Sequence, residues 1–502
     1  MRLAPQRRSV DLAAMLSEPN SATAGEPRQR PMPLLLGPIA FLVLRTLAPA
    51  GLEPAAASVL AVGVWMAIWW ISECLPLAVT ALLPLVLFPL LGVSSTREAA
   101  AAFANEVVFL YLGGFLLAAA LQHWHAHQRI ALAVIGKVGT DSRRLVFGVM
   151  LATALVSMWI SNTATAAMMY PIALAIGSLF GSGPAARSQR VAMLLGVAFA
   201  ASIGGMATLI GTPPNLILAG AAREMLGVNL DFFYFLKFGL PIALIMLPAC
   251  WAILVFGFHR ERLTLDAAGL QALADRRAAL GKITQGERRV LLVFSLVALG
   301  WLFREPKVIG NLTVFGLTSV VPALTDASIA VMGGILLFLL PADSARGRRP
   351  LITWREAREI PWDVLLLFGG GLSLAAAMES SGLAARIGEW MGGLNGLPLP
   401  AVLVGVAVVT VIISELASNA ATASMGMPIA VSLAAALDQP PMLMMLVIGL
   451  SASVGFALPM ATPPNAIVFG SGELTVKEMA RAGLALDVVG IAVVITVLRL
   501  FF

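Results

Sequence analysis

Four short polar interruptions stand inside otherwise apolar stretches: Ser161-Asn162-Thr163, Thr212-Pro213-Pro214, Ser418-Asn419-Ala420 and Thr462-Pro463-Pro464. In hydrocarbon every backbone polar group must find a partner, so an asparagine or a double proline is tolerated only beside protein or a wet cavity. The double prolines remove N–H donors and break the helix, leaving carbonyl oxygens free just upstream, which suit a hard monovalent cation. The half-helices that restart beyond the breaks turn positive dipole ends and unpaired N–H groups inward, which suits an anion. Ser161, Thr163, Thr212 and Thr462 add hydroxyls that donate to a carboxylate or accept around a cation, and Asn162 and Asn419 carry both an amide oxygen and an NH2 group. No lysine or arginine lies within the four motifs, so an anion held there must be balanced by dipoles and a co-bound cation. A lone Ser-Asn is ordinarily a helix cap and a lone Pro-Pro a kink; four such motifs in two matched pairs point instead to one constellation for a cation and an anion side by side.

The elements that carry these motifs are set by composition. Of 502 residues, 59% are hydrophobic and 12% charged, with a mean hydropathy of +0.90, where a soluble domain has about 45–50% apolar and about 25% charged residues. This is the composition of a polytopic, all-α protein whose solvent is the lipid bilayer. A spanning helix needs about 20 mostly apolar residues, and about eleven such stretches are expected, at 33–50, 56–73, 75–93, 106–122, 189–222, 231–258, 287–304, 325–341, 360–378, 441–470 and 483–501.

The net charge of +6 arises from 33 Lys plus Arg against 27 Asp plus Glu. These bases sit in short loops between apolar runs, which membrane topology explains and a nucleic-acid partner does not. The N-terminal tail (Arg2, Arg7, Arg8, Arg28, Arg30), the 259–289 loop (Arg260, Arg262, Arg276, Arg277, Lys282, Arg288, Arg289) and the 342–359 loop (Arg346, Arg348, Arg349, Arg355, Arg358) are expected on the cytoplasmic side. Residues 1–32 have no signal-peptide core and read as a disordered cytoplasmic tail. Cys74 and Cys250 match neither a disulfide framework nor a metal spacing.

Between Arg144 and Arg187 the first apolar arm, Leu145 to Ile160, is about 24 Å long as a helix, short of the roughly 30 Å of hydrocarbon. Both ends carry arginines, so the segment reads as a re-entrant hairpin with its tip at mid-membrane; two short full spans are the alternative. The stretch from Pro398 through Ser418-Asn419 to about Leu437 has the same form.

The likeness extends further. Val108-Phe-Leu-Tyr-Leu-Gly-Gly matches Val364-Leu-Leu-Leu-Phe-Gly-Gly, Ser161-Asn-Thr-Ala-Thr-Ala matches Ser418-Asn-Ala-Ala-Thr-Ala, and Gly211-Thr-Pro-Pro-Asn matches Ala461-Thr-Pro-Pro-Asn. Three blocks recurring in order about 250 residues later mean duplication. An odd number of crossings per half would leave the copies inverted, and matched interruptions in the two halves mark a transporter's binding site. A duplication kept only for packing is the alternative, but packing does not call for matched polar breaks.

At these residues the chain resembles the divalent anion:sodium symporters, which carry dicarboxylates, citrate or sulfate. The run Ala452-Ser-Val-Gly-Phe-Ala-Leu-Pro-Met-Ala-Thr-Pro-Pro-Asn-Ala-Ile-Val468 looks like that family's signature, and Trp69-Trp-Ile-Ser-Glu-Cys-Leu-Pro-Leu-Ala-Val-Thr-Ala-Leu-Leu-Pro84 is similar to its early signature helix. The resemblance implies an inverted-repeat, elevator-type homodimer in the cell (plasma or inner) membrane. Its scaffold would comprise 33–140 and 287–396. Its transport domain would comprise 141–258 and 397–502, each part with a hairpin and a broken helix, with a cytoplasmic loop at 259–286. It implies two sodium sites, one from Ser157, Ser161, Asn162 and Gly211, the other from Ser414, Ala417, Asn419 and Ala461. Substrate carboxylates would meet Asn162, Thr163, Thr212, Asn419, Thr462 and Pro463. The implied activity is sodium-coupled import of C4-dicarboxylates such as succinate, malate or fumarate, with no organic cofactor. Dicarboxylate exchange and sodium-driven sulfate or citrate uptake are the alternatives. The family's second tip reads Ser-Asn-Thr, whereas Ala420 here lacks the hydroxyl, and a lost hydrogen bond to a charged group is worth roughly 1.5–3 kcal/mol.

His123, His125 and His127 put only the outer pair on one helical face and read as an interfacial segment beside Trp124. Lys237 and Arg45 lie near span ends and snorkel. Glu415, inside an apolar run, is either functional or a structural link between helices. An enzyme is not expected, since no Gly-x-Ser-x-Gly or His-Glu-x-x-His element occurs.

Overall fold

The computed structural model describes residues 31–502 apart from 48–50, 266–268, 270, 272–274, 276–277, 310–311, 344–348, 392 and 394–395. The tail expected over 1–32, up to position 30, and the arginines expected to mark the cytoplasmic loops at 276, 277, 346 and 348 lie outside the described residues.

Apolar sequence in lipid folds as helix because a helix satisfies its backbone N–H and C=O groups within one segment. The first half comprises α1 (Pro31–Thr46), α2 (Pro54–Ser72), α3 (Leu77–Thr80), α4 (Leu83–Leu90), α5 (Thr96–Ala101), α6 (Glu106–His123) and α7 (Ala126–Ile135). It continues through α8 (Ser142–Ser157), α9 (Asn162–Ser178), α10 (Pro184–Met206), α11 (Pro213–Leu226) and α12 (Phe232–Ala252). The second half begins with α13 (Gln285–Leu302), α14 (Asp326–Leu339), α15 (Trp354–Ala357), α16 (Trp362–Ser380) and α17 (Leu383–Trp390). It ends with α18 (Leu399–Leu416), α19 (Asn419–Ala436), α20 (Pro441–Ser451), α21 (Pro463–Phe469) and α22 (Val476–Leu498).

Among the described residues seven helices are long and apolar enough to cross a membrane, and four shorter apolar helices accompany them. The stretches expected at 189–222 and 441–470 are not continuous: each stops before Thr-Pro-Pro and restarts at the first proline, as α10 and α11 and as α20 and α21. The prolines impose the break because they lack the N–H that would bond back across it. The stretch at 75–93 is likewise divided, into α3 and α4. The all-α expectation needs one amendment: β1 (Lys307–Ile309) pairs antiparallel with β2 (Leu312–Val314), Val308 opposite Thr313. A hairpin this small interrupts no helix.

The repeat is inverted. At the end of α6, His123 Nδ1 lies 3.3 Å from Glu356, just ahead of α16, so α6 ends on the face where its counterpart starts. Ser188 at the start of α10 donates to Glu261 beyond α12 at 2.7 Å, and the adjacent Arg187 pairs with Glu478 at the start of α22 at 2.8 Å. Thus α12 ends where its counterpart α22 begins. On the opposite face Arg304, at the end of α13, binds Asp231 at the start of α12 at 2.9 Å and Asp326 at the start of α14 at 2.8 Å. Arg223 at the end of α11 pairs there with Glu106 at the start of α6.

Both open ends of the first hairpin lie on the Arg187 face. Ser142 at the start of α8 bonds to Leu263 at 2.8 Å, and Gly177 at the end of α9 packs on Arg190. Helix α10, 94% buried along its apolar window, is enclosed by protein rather than lipid. It packs against α8 and α9 of its own half and against α21 of the other, while α11 packs against α19 and α20. The halves therefore interlock around the two helix breaks.

Candidate functional site

Each hairpin tip meets a helix break through the same contacts. Ser157 Oγ lies 2.8 Å from Asn162 Oδ1 and 2.7 Å from the Ala201 carbonyl. In the second half Ser414 Oγ lies 2.8 Å from Asn419 Oδ1 and 2.6 Å from the Ala452 carbonyl. A hydroxyl has one proton, and each of these faces two acceptors, so each cluster of three oxygens is a donor short. That is an environment a small hard cation satisfies.

The breaks are shaped to approach these clusters. Gly205 presents its backbone directly to Asn162 Oδ1, leaving no room for a side chain, and Gly211 packs on Gly205 with equal closeness. In the second half Gly455 holds the corresponding place, with Asn419 and Ala461 about it. Thr212 and Thr462 adopt almost the same extended backbone, φ −145° and ψ 146° against φ −137° and ψ 146°, each leading into Pro-Pro. The loops are braced by the asparagines that follow each double proline. Asn215 Nδ2 donates to the Gly205 and Thr208 carbonyls at 3.0 and 2.8 Å, and Asn465 Nδ2 donates to the Leu458 carbonyl at 3.0 Å. A buried amide just past a double proline was the available signal. The Ala201 and Ala452 carbonyls left no signal, because any residue type supplies one.

The expected site residues divide as follows. Ser157, Asn162 and Thr212 come together, Asn162 Nδ2 lying 3.4 Å from Thr212 Oγ1. Gly211 adjoins them through Gly205. Ser414 and Asn419 come together, with Ala461 reached through Gly455. Ser161 caps α9, accepting from Ala164 N at 3.3 Å, and Thr462 caps α21, accepting from Asn465 N at 3.3 Å. Both hydroxyls thus do the ordinary work of helix caps as well as standing at the site. Ala417 is buried beside Ser418, whereas Pro463 and Thr163 are exposed. Ala420, in the place that corresponds to Thr163, is 7% exposed, and Thr422 is 4% exposed with no partner for its hydroxyl.

For an anion, the N-termini of α9, α11 and α19 begin at the two tips and the first break, where N–H groups and dipole ends favour negative charge. Glu415 is not free to hold an ion by itself: its two oxygens accept from the Ala457 and Leu458 N–H groups at 2.7 and 2.9 Å. The three histidines form no metal comb. His123 is engaged by Glu356 and by Arg349, the latter 2.9 Å from its Nε2, and no group of three metal-ligating side chains occurs among the described residues.

An inverted repeat with two hairpins closing on two broken helices is the architecture of a membrane transporter. The comparisons give the class its family. Residues 32–502 match the family model described as the sodium:sulfate symporter transmembrane region, and the chain belongs to the divalent anion:sodium symporters. It is 38% identical over 474 residues to the sodium-dependent dicarboxylate transporter SdcS of Staphylococcus saprophyticus, covering 92% of this chain and 90% of that one. It is 35% identical over 472 residues to SdcS of Staphylococcus aureus, covering 92% and 89%. Two solved transporters share the fold. MtrF of Neisseria gonorrhoeae, of a class of antimetabolite efflux pumps, has a TM-score of 0.55 at 15% identity, covering 80% of this chain and 82% of that one. YdaH of Alcanivorax borkumensis has a TM-score of 0.52 at 14% identity, covering 93% and 96%. The chain is a multi-pass membrane transporter and not an enzyme.

Proposed function

We propose that the chain is a sodium-coupled symporter that imports divalent organic anions, with C4-dicarboxylates such as succinate, malate or fumarate as its cargo. The carrying observation is the pair of oxygen clusters at Ser157 and Ser414, each short of one donor and so each suited to a sodium ion. The identity to SdcS over nine-tenths of the chain supports sodium and dicarboxylate as the coupled pair. In this reading Ser157, Ser161, Asn162 and Gly211 surround one sodium, and Ser414, Ala417, Asn419 and Ala461 the other. The anion lies between, on Asn162, Thr163, Thr212, Asn419, Thr462 and Pro463, its charge balanced by helix N-termini and by the two cations. The protein works as a homodimer in the cell membrane with its N-terminus in the cytoplasm.

Radiolabelled succinate uptake into proteoliposomes tests this. Uptake driven by an inward sodium gradient, and absent with potassium in its place, is expected. Uptake that requires internal succinate instead would make the protein an exchanger; sulfate or citrate uptake without succinate uptake would reassign the cargo.

Ala420→Thr restores a hydroxyl to the second tip and is expected to raise apparent dicarboxylate affinity by roughly tenfold, the worth of one hydrogen bond to a charged group. Sodium activation should hardly change. Equal affinities of variant and parent across succinate, malate and citrate would remove Ala420 from the substrate site.

We assign motion to 141–258 and 397–502 against a scaffold of 33–140 and 287–396, an elevator movement. The ion pair between Glu106 on the scaffold side and Arg223 on the moving side must then part in every cycle. Cross-linking Glu106→Cys to Arg223→Cys with a short bifunctional thiol reagent is expected to stop uptake while sodium binding persists. Native Cys74 and Cys250 are buried and do not compete for the reagent. Full uptake by the cross-linked protein would exclude movement between these surfaces.

A further inference from the structure

The two sodium clusters have matching oxygens but unequal surroundings. Beside Ser414 stands Glu415, 8% exposed, whose carboxylate accepts from the Ala457 and Leu458 N–H groups. Asp487 of α22, 4% exposed, accepts from the preceding N–H, that of Phe456, at 3.0 Å. The two carboxyl groups lie within hydrogen-bonding reach of each other, and Asp487 Oδ2 has no other partner. Three consecutive N–H groups of the loop between α20 and α21 are thus held by two acidic side chains. Gly483, which presses on the Phe456 carbonyl, lets α22 come close enough for Asp487 to reach.

This clamp stands at the cation cluster. A methyl group placed on Gly455 would lie 3.8 Å from Glu415 Oε1 and 3.9 Å from Asn419 Oδ1. The first half has no equivalent. The residue after Ser157 is Met158, whose carbonyl takes a hydrogen bond from Thr208 Oγ1 at 2.5 Å. Gly239 of α12 presses on the Met206 carbonyl as Gly483 presses on that of Phe456, which aligns Asp487 with Ala243, an apolar residue. Neutral groups therefore hold the first loop, whereas a carboxyl pair that shares one proton and so carries a single negative charge holds the second.

We infer that Glu415, steadied by Asp487, makes the Asn419 site the tighter of the two sodium sites and so the first to fill. This rests on the sodium-coupled reading. Glu415 acts as a positioning residue and a source of field, because its own oxygens are spent on backbone N–H groups. A carboxylate several ångströms from a cation, at an effective permittivity of about 20, raises affinity by at least about tenfold. Filling from the Asn419 side then assembles the second tip before the first.

The test is equilibrium binding of radioactive sodium to the purified protein in nanodiscs, without substrate. Parent protein is expected to show two classes of site about tenfold or more apart. Glu415→Gln, which keeps the side-chain shape, should weaken the tighter class by about tenfold and leave the weaker class alone. Met158→Glu should tighten the weaker class. Asp487→Asn, which keeps an acceptor for Phe456 N–H, should weaken the tighter class by less than Glu415→Gln and serves if the latter fails to fold. Two indistinguishable sites in the parent, or equal weakening of both classes by Glu415→Gln or Asp487→Asn, would overturn the ranking while leaving sodium coupling intact. Parent protein with no saturable sodium binding would overturn both.

Discussion

Asn162→Ala and Asn419→Ala are each expected to collapse sodium-driven uptake at normal expression. Each asparagine supplies the amide oxygen that shares a serine proton with a backbone carbonyl, at 2.8 Å in both halves. Removing it takes one of three oxygens from the proposed cation. The loss of one interaction with a charged group is worth roughly 1.5–3 kcal/mol, about 10- to 150-fold in affinity. Apparent sodium affinity should fall by that factor in activation curves, and because in the proposed site the same side chain offers its NH2 group to the anion, dicarboxylate affinity should fall with it. Ser157→Ala and Ser414→Ala should reproduce the sodium effect with less change in dicarboxylate affinity, since the hydroxyl is turned to the cation cluster. Uptake by either asparagine variant with parental sodium activation would show that the clusters are not the ion sites.

Arg304→Ala is expected to be the most destabilising single substitution outside the site. Its side chain is 7% exposed and bridges Asp231 and Asp326, while Asp326 also accepts from Phe232 N at 2.9 Å and, through its carbonyl, from Trp301 Nε1 at 2.9 Å. Around it Phe232 stacks on Trp301 at 5.0 Å and on Trp159, from the first hairpin tip, at 5.8 Å. Removing one partner of a buried ion pair leaves the other charges uncompensated, which costs about 3–5 kcal/mol. Thermal unfolding in detergent should show the loss as a large fall in midpoint. Arg304→Met combined with Asp231→Asn and Asp326→Asn should recover much of it, because the only charge then left without its partner is Glu305, 46% exposed and solvated. A midpoint unmoved by Arg304→Ala would mean that this knot does not hold α13 to α14, nor α12 to them in the conformation described; in the elevator reading the Arg304–Asp231 bond, like Glu106–Arg223, parts when α12 moves.

Composition, period and repetition in the chain suffice for a helical membrane protein built of two related halves, with breaks at Thr-Pro-Pro and turns at Ser-Asn. These features are local: a helix needs only its own backbone, a proline breaks it wherever it stands, and a duplicated motif declares itself by likeness. The family resemblance implies that Ser157 joins Asn162 in one half and Ser414 joins Asn419 in the other, and the fold brings those residues together.

Other matters depend on which element packs where, and spacing along the chain does not contain them. The Ala201 and Ala452 carbonyls complete the clusters, yet a carbonyl has no residue-type signature. Asn215 and Asn465 brace the loops through contacts set by the fold of each break. Glu415 could be read from sequence as a functional group or a structural link; the structure makes it a clamp on two N–H groups, joined by Asp487 from a helix far along the chain. Met158 stands opposite Glu415 at the repeat's own spacing, but the matching of Ala243 with Asp487 comes from the close approaches of Gly239 and Gly483, because the aligned motifs end before α12 and α22. Sequence alone thus determined that the chain has matched polar breaks in an apolar, duplicated frame. Tertiary structure decided that those breaks close into two acceptor-rich clusters with different charge around them, because charge and hydrogen-bonding depend on distances of a few ångströms between residues remote in the chain.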